Sequence, residues 1–228
     1  MATPEPPATT ERHPSADYLE ALYEIREEHL APVQAELARW MGVSRASVSE
    51  HIRRLVADGL VSTSGRELGF TPAGEAMAVV LVRRHRLAEH LLVGVIGLPW
   101  HLAHAEAERW ERVISDAVEE RLVQLLDDPG TCPHGNPIPG SANAVDLSEL
   151  VPLAELRPPA EVTLRRLTED LELEIDVMRF LEDSGLMPGA TFRVEGVAPD
   201  GAMSLAVNGR AVALGAHLAD NLWVELRP

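Results

Sequence analysis

VQAELARWMGVSRASVSEHIRRLVADG occupies residues 33–59 and decides how the rest of the chain is read. A short amphipathic run, a Gly-Val-Ser turn and a longer amphipathic run ending at Gly59 form the helix, tight turn, helix pattern. Downstream, LVSTSGRELGFTPAG (60–74) holds two short β-prone runs around SGRELG, which predicts a hairpin, or wing. Upstream, SADYLEALYEIREEHL (15–30) repeats its apolar positions at helical spacing, with Asp17 and Glu20 placed like a capping box. Residues 15–77 are therefore expected to form a winged helix-turn-helix domain. The second helix of such a unit enters the DNA major groove by its N-terminal end. That places Ser44, Arg45, Ser47, Ser49 and Glu50 against base edges and phosphates, with Arg53 and Arg54 further along.

The formal net charge of −16 argues against a chain that binds nucleic acid over its whole surface. The sign is uneven, however. Residues 39–54 hold four arginines against Glu50 alone, and RRHR at 83–86 adds more positive charge. This suits a basic patch on an anionic body. Lysine is absent from the whole chain. Residues 1–14, MATPEPPATTERHP, are expected to be a disordered tail and not a signal peptide. No apolar run reaches the roughly 18 to 20 residues of a membrane span. A single cysteine, Cys132, excludes an internal disulfide framework and agrees with a reducing, cytoplasmic setting. Its CPHG neighbourhood, with His134, reads as plain loop.

Two long helices are expected next, over 75–97 and 101–126, separated by GLPW; their length suggests association, and 78–130 reads as a helical dimerisation and metal-binding domain. A Pro- and Gly-rich stretch makes 131–158 a linker. Residues 159–228 alternate apolar and polar positions between tight turns, which predicts a small antiparallel β-barrel with one short helix at 176–185. The fold class expected is α+β and multidomain.

The helix HAEAERWERVISD (104–116) carries His104, Glu108 and Glu111 on one face, beside its apolar stripe. Such a stripe is either a solvated face or a metal site. His85 and Glu89 stand one helical turn apart with apolar neighbours, and a buried carboxylate there needs a cation, either an arginine or a metal. His85, Glu89 and His104 together would suit a divalent first-row ion. His90 and His101 fall off these faces and read as surface residues. Asp17 and Glu20 with Glu108 and Glu111 make a second, oxygen-rich group favouring Mn(II) or Fe(II) over zinc.

Taken together, DYLEALYEI, VSRASVSEHIRRLVADGLV, LGFTPAGEAMA, VLVRRHRLAEHLL, HAEAERWERVISD and PHGNPIPG, in this order and spacing, resemble the iron- and manganese-dependent repressors of the diphtheria toxin repressor type. The resemblance covers nearly everything after the tail. It implies a winged helix-turn-helix, a helical dimerisation domain and a C-terminal SH3-like β-barrel. It implies a homodimer on double-stranded operator DNA, controlled by Mn(II) or Fe(II) and not enzymatic. It implies an ancillary metal site of His85, Glu89, His104 and Glu174. A further barrel ligand of the family falls on Val177, so that Glu172 or Asp176 would have to substitute. A primary site would combine Asp17, Glu20, Glu108, Glu111 and the position of Arg112, where the family carries histidine. Arginine cannot ligate a metal. The alternative is a single-site or metal-independent regulator of the same fold.

Overall fold

The computed structural model describes residues 15–227, so the expected tail at 1–14 lies outside the described residues. Helix α1 (Ala16–Glu27), α2 (Gln34–Trp40) and α3 (Arg45–Ala57) bury Leu19, Leu22, Ile25, Leu37, Val48, Ile52 and Leu55 against one another. Ser44 caps α3 by accepting from the Ser47 N–H. Strands β1 (Val61–Ser64) and β2 (Glu67–Phe70) pair antiparallel as the wing, with Val61 opposite Phe70.

The wing feeds helix α4 (Pro72–Leu91) through Thr71, whose side chain accepts from the Gly74 N–H at 3.1 Å. Gly74 is required by packing, since a Cβ there would lie 1.8 Å from the Leu60 carbonyl oxygen. α4 runs unbroken across the expected boundary at 77/78: its first turns complete the winged-helix core through Ala78, and its later turns carry His85 and Glu89. It therefore couples the two units as one rod.

The single helix expected over 101–126 is broken. A short 3-10 turn (Trp100–Leu102) leads into α5 (Ala103–Trp110), and α6 (Asp116–Leu125) starts afresh. Ser115 explains the break, because its side chain accepts from the Val118 N–H and caps α6.

The expected linker is not a spacer. Cys132, His134, Asn136 and Ile138 are buried. The segment docks on the C-terminal unit, where the His134 carbonyl accepts from the Leu167 N–H at 3.0 Å. A six-stranded antiparallel sheet follows, built from β3 (Val151–Pro152), β4 (Ala160–Leu167), β5 (Thr191–Val197), β6 (Met203–Val207), β7 (Arg210–Leu214) and β8 (Leu222–Leu226), in the order β3-β8-β4-β5-β6-β7. The sheet thus begins before the expected 159. Helices α7 (Glu169–Glu172), α8 (Ile175–Ser184) and α9 (Ala216–Asp220) add Leu171, Met178, Leu181 and Ala219 to its core. Trp100 inserts from the middle unit into this core and donates its indole N–H to the Pro133 carbonyl at 3.0 Å.

Candidate metal centre

α4 presents His85 and Glu89 on its buried side, α5 brings His104, the docked segment brings Cys132 and His134, and α7 brings Glu172. All six are buried. Glu89 Oε1 lies 3.2 Å from His85 Nε2, 3.4 Å from His104 Nδ1 and 3.1 Å from His134 Nδ1. Glu172 Oε2 lies 2.7 Å from His134 Nδ1 and 3.3 Å from His104 Nδ1. The ligand atoms of Glu89, Cys132 and His134 fall within 4.8 Å of one another, as do those of His85, Glu89 and His104.

Directions matter as much as distances here. Glu89 Oε2, His134 Nδ1 and Glu172 Oε2 are buried and make no hydrogen bond of acceptable direction, although nitrogen and oxygen stand within ion-pair reach. Buried polar atoms left so are costly. Lone pairs converging on one point, drawn from imidazole, carboxylate and thiol, fit a divalent first-row cation. Without one, protons carry the positive charge. Burial pulls the His104 imidazole down, but the Glu172 and Glu89 carboxylates beside it outweigh this and lift the group to about 10. Burial and the Glu89 charge push the Cys132 thiol up to about 12.

His85 joins this cluster to a second group. Its Nδ1 faces Glu111 Oε2 at 2.7 Å and Glu20 Oε1 at 3.8 Å. Asp17, Glu20 and Glu108 line one cleft of about 210 Å³ with His85, His104 and Arg112.

Several sequence expectations need correcting. Glu174 is half exposed, 3.6 Å from His217 Nε2 and outside the cluster; as the residue preceding α8 it faces away, and Glu172, two residues earlier on α7, faces inward instead. Asp176 is exposed beside Arg179. His134 and Cys132, read as plain loop, are at the centre. His101 is no bystander, since its ring bonds to Glu182 of α8 and links the middle and C-terminal units.

On the winged-helix unit, Arg45, Glu50, Arg53 and Arg54 are exposed along α3. Glu50 pairs with Arg54, and Arg53 Nε donates to the Ser49 carbonyl at 3.1 Å. Ser44 is engaged as the helix cap. Ser47 Oγ lies 2.9 Å from Tyr18 Oη, while His51 stacks on the Tyr18 ring at 4.2 Å and meets Ser15 Oγ at 2.9 Å.

Comparison with known proteins gives matches along the described chain. Models of the iron dependent repressor N-terminal DNA binding domain, the iron dependent repressor metal binding and dimerisation domain, and the FeoA domain match residues 13–67, 71–140 and 151–226. The chain is 41% identical over 219 residues to the iron-dependent repressor IdeR of Mycobacterium tuberculosis, covering 91% of this chain and 95% of that one. It is 38% identical over 216 residues to the diphtheria toxin repressor of Corynebacterium diphtheriae, covering 91% and 95%. Among solved structures, a manganese-dependent transcriptional repressor in complex with manganese superposes with a TM-score of 0.82 at 30% identity, over 93% of this chain and all of that one. ScaR with bound zinc superposes with a TM-score of 0.75 at 32% identity, over 93% and 99%.

Proposed function

The chain belongs to the iron-dependent repressor family, and from that membership we propose that it is a divalent-metal-activated transcriptional repressor that binds operator DNA as a homodimer, with Mn(II) or Fe(II) as the activating ion. The observation that carries the metal assignment is the buried convergence of Glu89, His104, His134 and Glu172, with three orphaned ligand atoms among them. Glu89, Cys132, His134 and Glu172 would hold the ion, with His104 and His85 at its edge. A bound ion supplies positive charge that protons otherwise carry, and a crosslink between elements.

Each residue has a structural task in that crosslink. Glu89 anchors the centre to α4, which begins inside the DNA-binding core. His104 ties in α5, His134 the docked segment, and Glu172 the C-terminal unit. Occupancy then favours the arrangement in which these elements sit as described, and DNA affinity rises only to the extent that the ion prefers that arrangement. The exposed arginines of α3 give the DNA surface. Exposed Val95, Ile96, Val113 and Leu125 in the region matched to the dimerisation domain supply apolar area for a second copy. No helix among the described residues is long and apolar enough to cross a membrane, and action in the cytoplasm, without a catalytic step, is part of this reading.

The test is selection from a random duplex pool with Mn(II), with Fe(II) under anaerobic conditions, and with chelator. Enrichment of a two-fold-symmetric site only with metal, lost in Glu89→Gln, is expected. Equal enrichment in chelator would overturn the metal dependence.

A further inference from the structure

Arg112 is the one permanently charged cation among the residues lining the cleft that also holds Asp17, Glu20 and Glu108. Its Nη2 lies 3.5 Å from Asp17 Oδ1 on α1, and its Nε lies 3.6 Å from Glu111 Oε1 just beyond α5. The other oxygen of Glu111 faces His85 Nδ1 at 2.7 Å. Both Glu111 oxygens are thus engaged. The Asp17, Glu20, Glu108 and Glu111 group does not fit a divalent ion with this guanidinium in place, because like charges repel at contact distance.

We propose that Arg112 is a built-in cation that ties the DNA-binding unit to the metal-binding helices without any ion at this second group. The tie runs from Asp17 through the guanidinium to Glu111 and on to His85 of α4. It also reaches the DNA surface. Asp17 is followed by Tyr18, whose ring stacks on His51 of α3 and whose hydroxyl meets Ser47 Oγ at 2.9 Å. Holding the first turn of α1 therefore holds a residue packed against the recognition helix. The metal response is then assigned to the buried centre around Glu89 and His134. The tie meets that centre at His85 and contains no ion of its own; its consequence for DNA binding rests on the function proposed above.

The experiment measures amide exchange in the first turn of α1, residues 16–20, in chelator-treated full-length protein, together with Mn(II) stoichiometry. Arg112→Gln is expected to speed exchange roughly 2- to 5-fold, the range set by a partly exposed ion pair. Asp17→Asn also alters the helix's first turn, so the decisive comparison is the double variant, which should exchange no faster than the faster single one. Arg112→His is expected to bind one more Mn(II) per chain than wild type. Either of two results overturns the proposal: exchange in Arg112→Gln equal to wild type, or wild-type protein whose Mn(II) content falls by one equivalent in Asp17→Asn. Glu89→Gln separates the two readings. Loss of Mn(II) in that variant reports on the buried centre alone, whereas the exchange result is obtained in metal-free protein.

Discussion

His134 Nδ1 lies 2.7 Å from Glu172 Oε2, so that the segment after the middle helices meets the C-terminal unit at a pair of metal-competent atoms. Two such atoms, neither of which makes a hydrogen bond of acceptable direction, are arranged to share a third party that both can touch. His134→Ala is expected to weaken Mn(II) binding by about tenfold or more, since one ligand bond worth ~1.4 kcal/mol already gives a factor of ten. Calorimetry on the variant checks this. Unchanged affinity would move the centre to His85, Glu89 and His104 alone.

One part of the pH dependence of the metal-free protein comes from Glu24, whose Oε2 accepts from the Trp40 indole N–H at 3.0 Å. Burial, reinforced by Glu169 and opposed by His104, His85 and Arg86, lifts this carboxyl to about 8. Its unfolded value is near 4.5, so between these limits the folded chain keeps a proton that the unfolded chain has lost. Stability from this group is present below pH 4.5 and lost as pH rises through 8, by at most ~1.4 kcal/mol per pH unit. Glu24→Gln keeps the acceptor for Trp40 and removes the titration. Thermal melts of chelated protein from pH 5 to pH 9 should therefore fall less steeply in the variant, and parallel curves would refute the assignment.

The DNA-binding unit was legible because its signals are local. Gly42, Ser44 and Gly59 punctuate amphipathic runs, and each signal lies within a few residues of the element it governs. His134 was not legible, because proline and glycine around it argue for loop, and only the fold reveals that this loop is pressed against β4. Glu172 ends the one-turn helix α7 and Glu174 stands two residues beyond it, and nothing in LELEID tells which carboxylate turns inward. The break before α6 was written in the sequence, as Ser115 followed by Asp116 is a helix start; continuous amphipathicity masked it. Arg112 announced itself through chemistry alone, being a residue that cannot ligate in a row of those that can.

Arg45 opens α3 with its side chain in solvent and no helix packing to lose. Arg45→Ala should leave the melting temperature unchanged and weaken metal-dependent DNA binding by about 1 to 3 kcal/mol. If its role is to a phosphate, the loss will be uniform across sequences and the salt slope will fall by about 1. Arg54 already pairs with Glu50 on the same helix. Its removal should cost less, and a larger effect from Arg54 than from Arg45 would place the DNA contact further along α3.

Arg86 is the buried ion pair on which three parts of the chain converge. Its side chain is 1% exposed, and its Nη2 lies 2.5 Å from Glu27 Oε2 of α1 and 2.6 Å from Glu169 Oε1 of α7, while Nη1 reaches the Pro137 carbonyl of the docked segment. Arg166 repeats the theme beside it, pairing with Glu28 and Asn136. Both acids that end α1 are therefore clasped by arginines. Replacing Arg86 by Met conserves much of the volume but leaves Glu169 buried without its guanidinium, a kind of loss that costs about 3 to 5 kcal/mol. In a chain of this size that lowers the melting temperature by roughly 6 to 20 °C. Arg86→Lys should recover only part of it, because a single ammonium cannot serve two carboxylates and a carbonyl in the planar fork that arginine supplies. Differential scanning calorimetry on the chelated proteins decides the matter. A drop under 1 kcal/mol in Arg86→Met would mean that Glu27 and Glu169 reach solvent, and that the contact between the DNA-binding and C-terminal units is held by the Arg166–Glu28 pair instead.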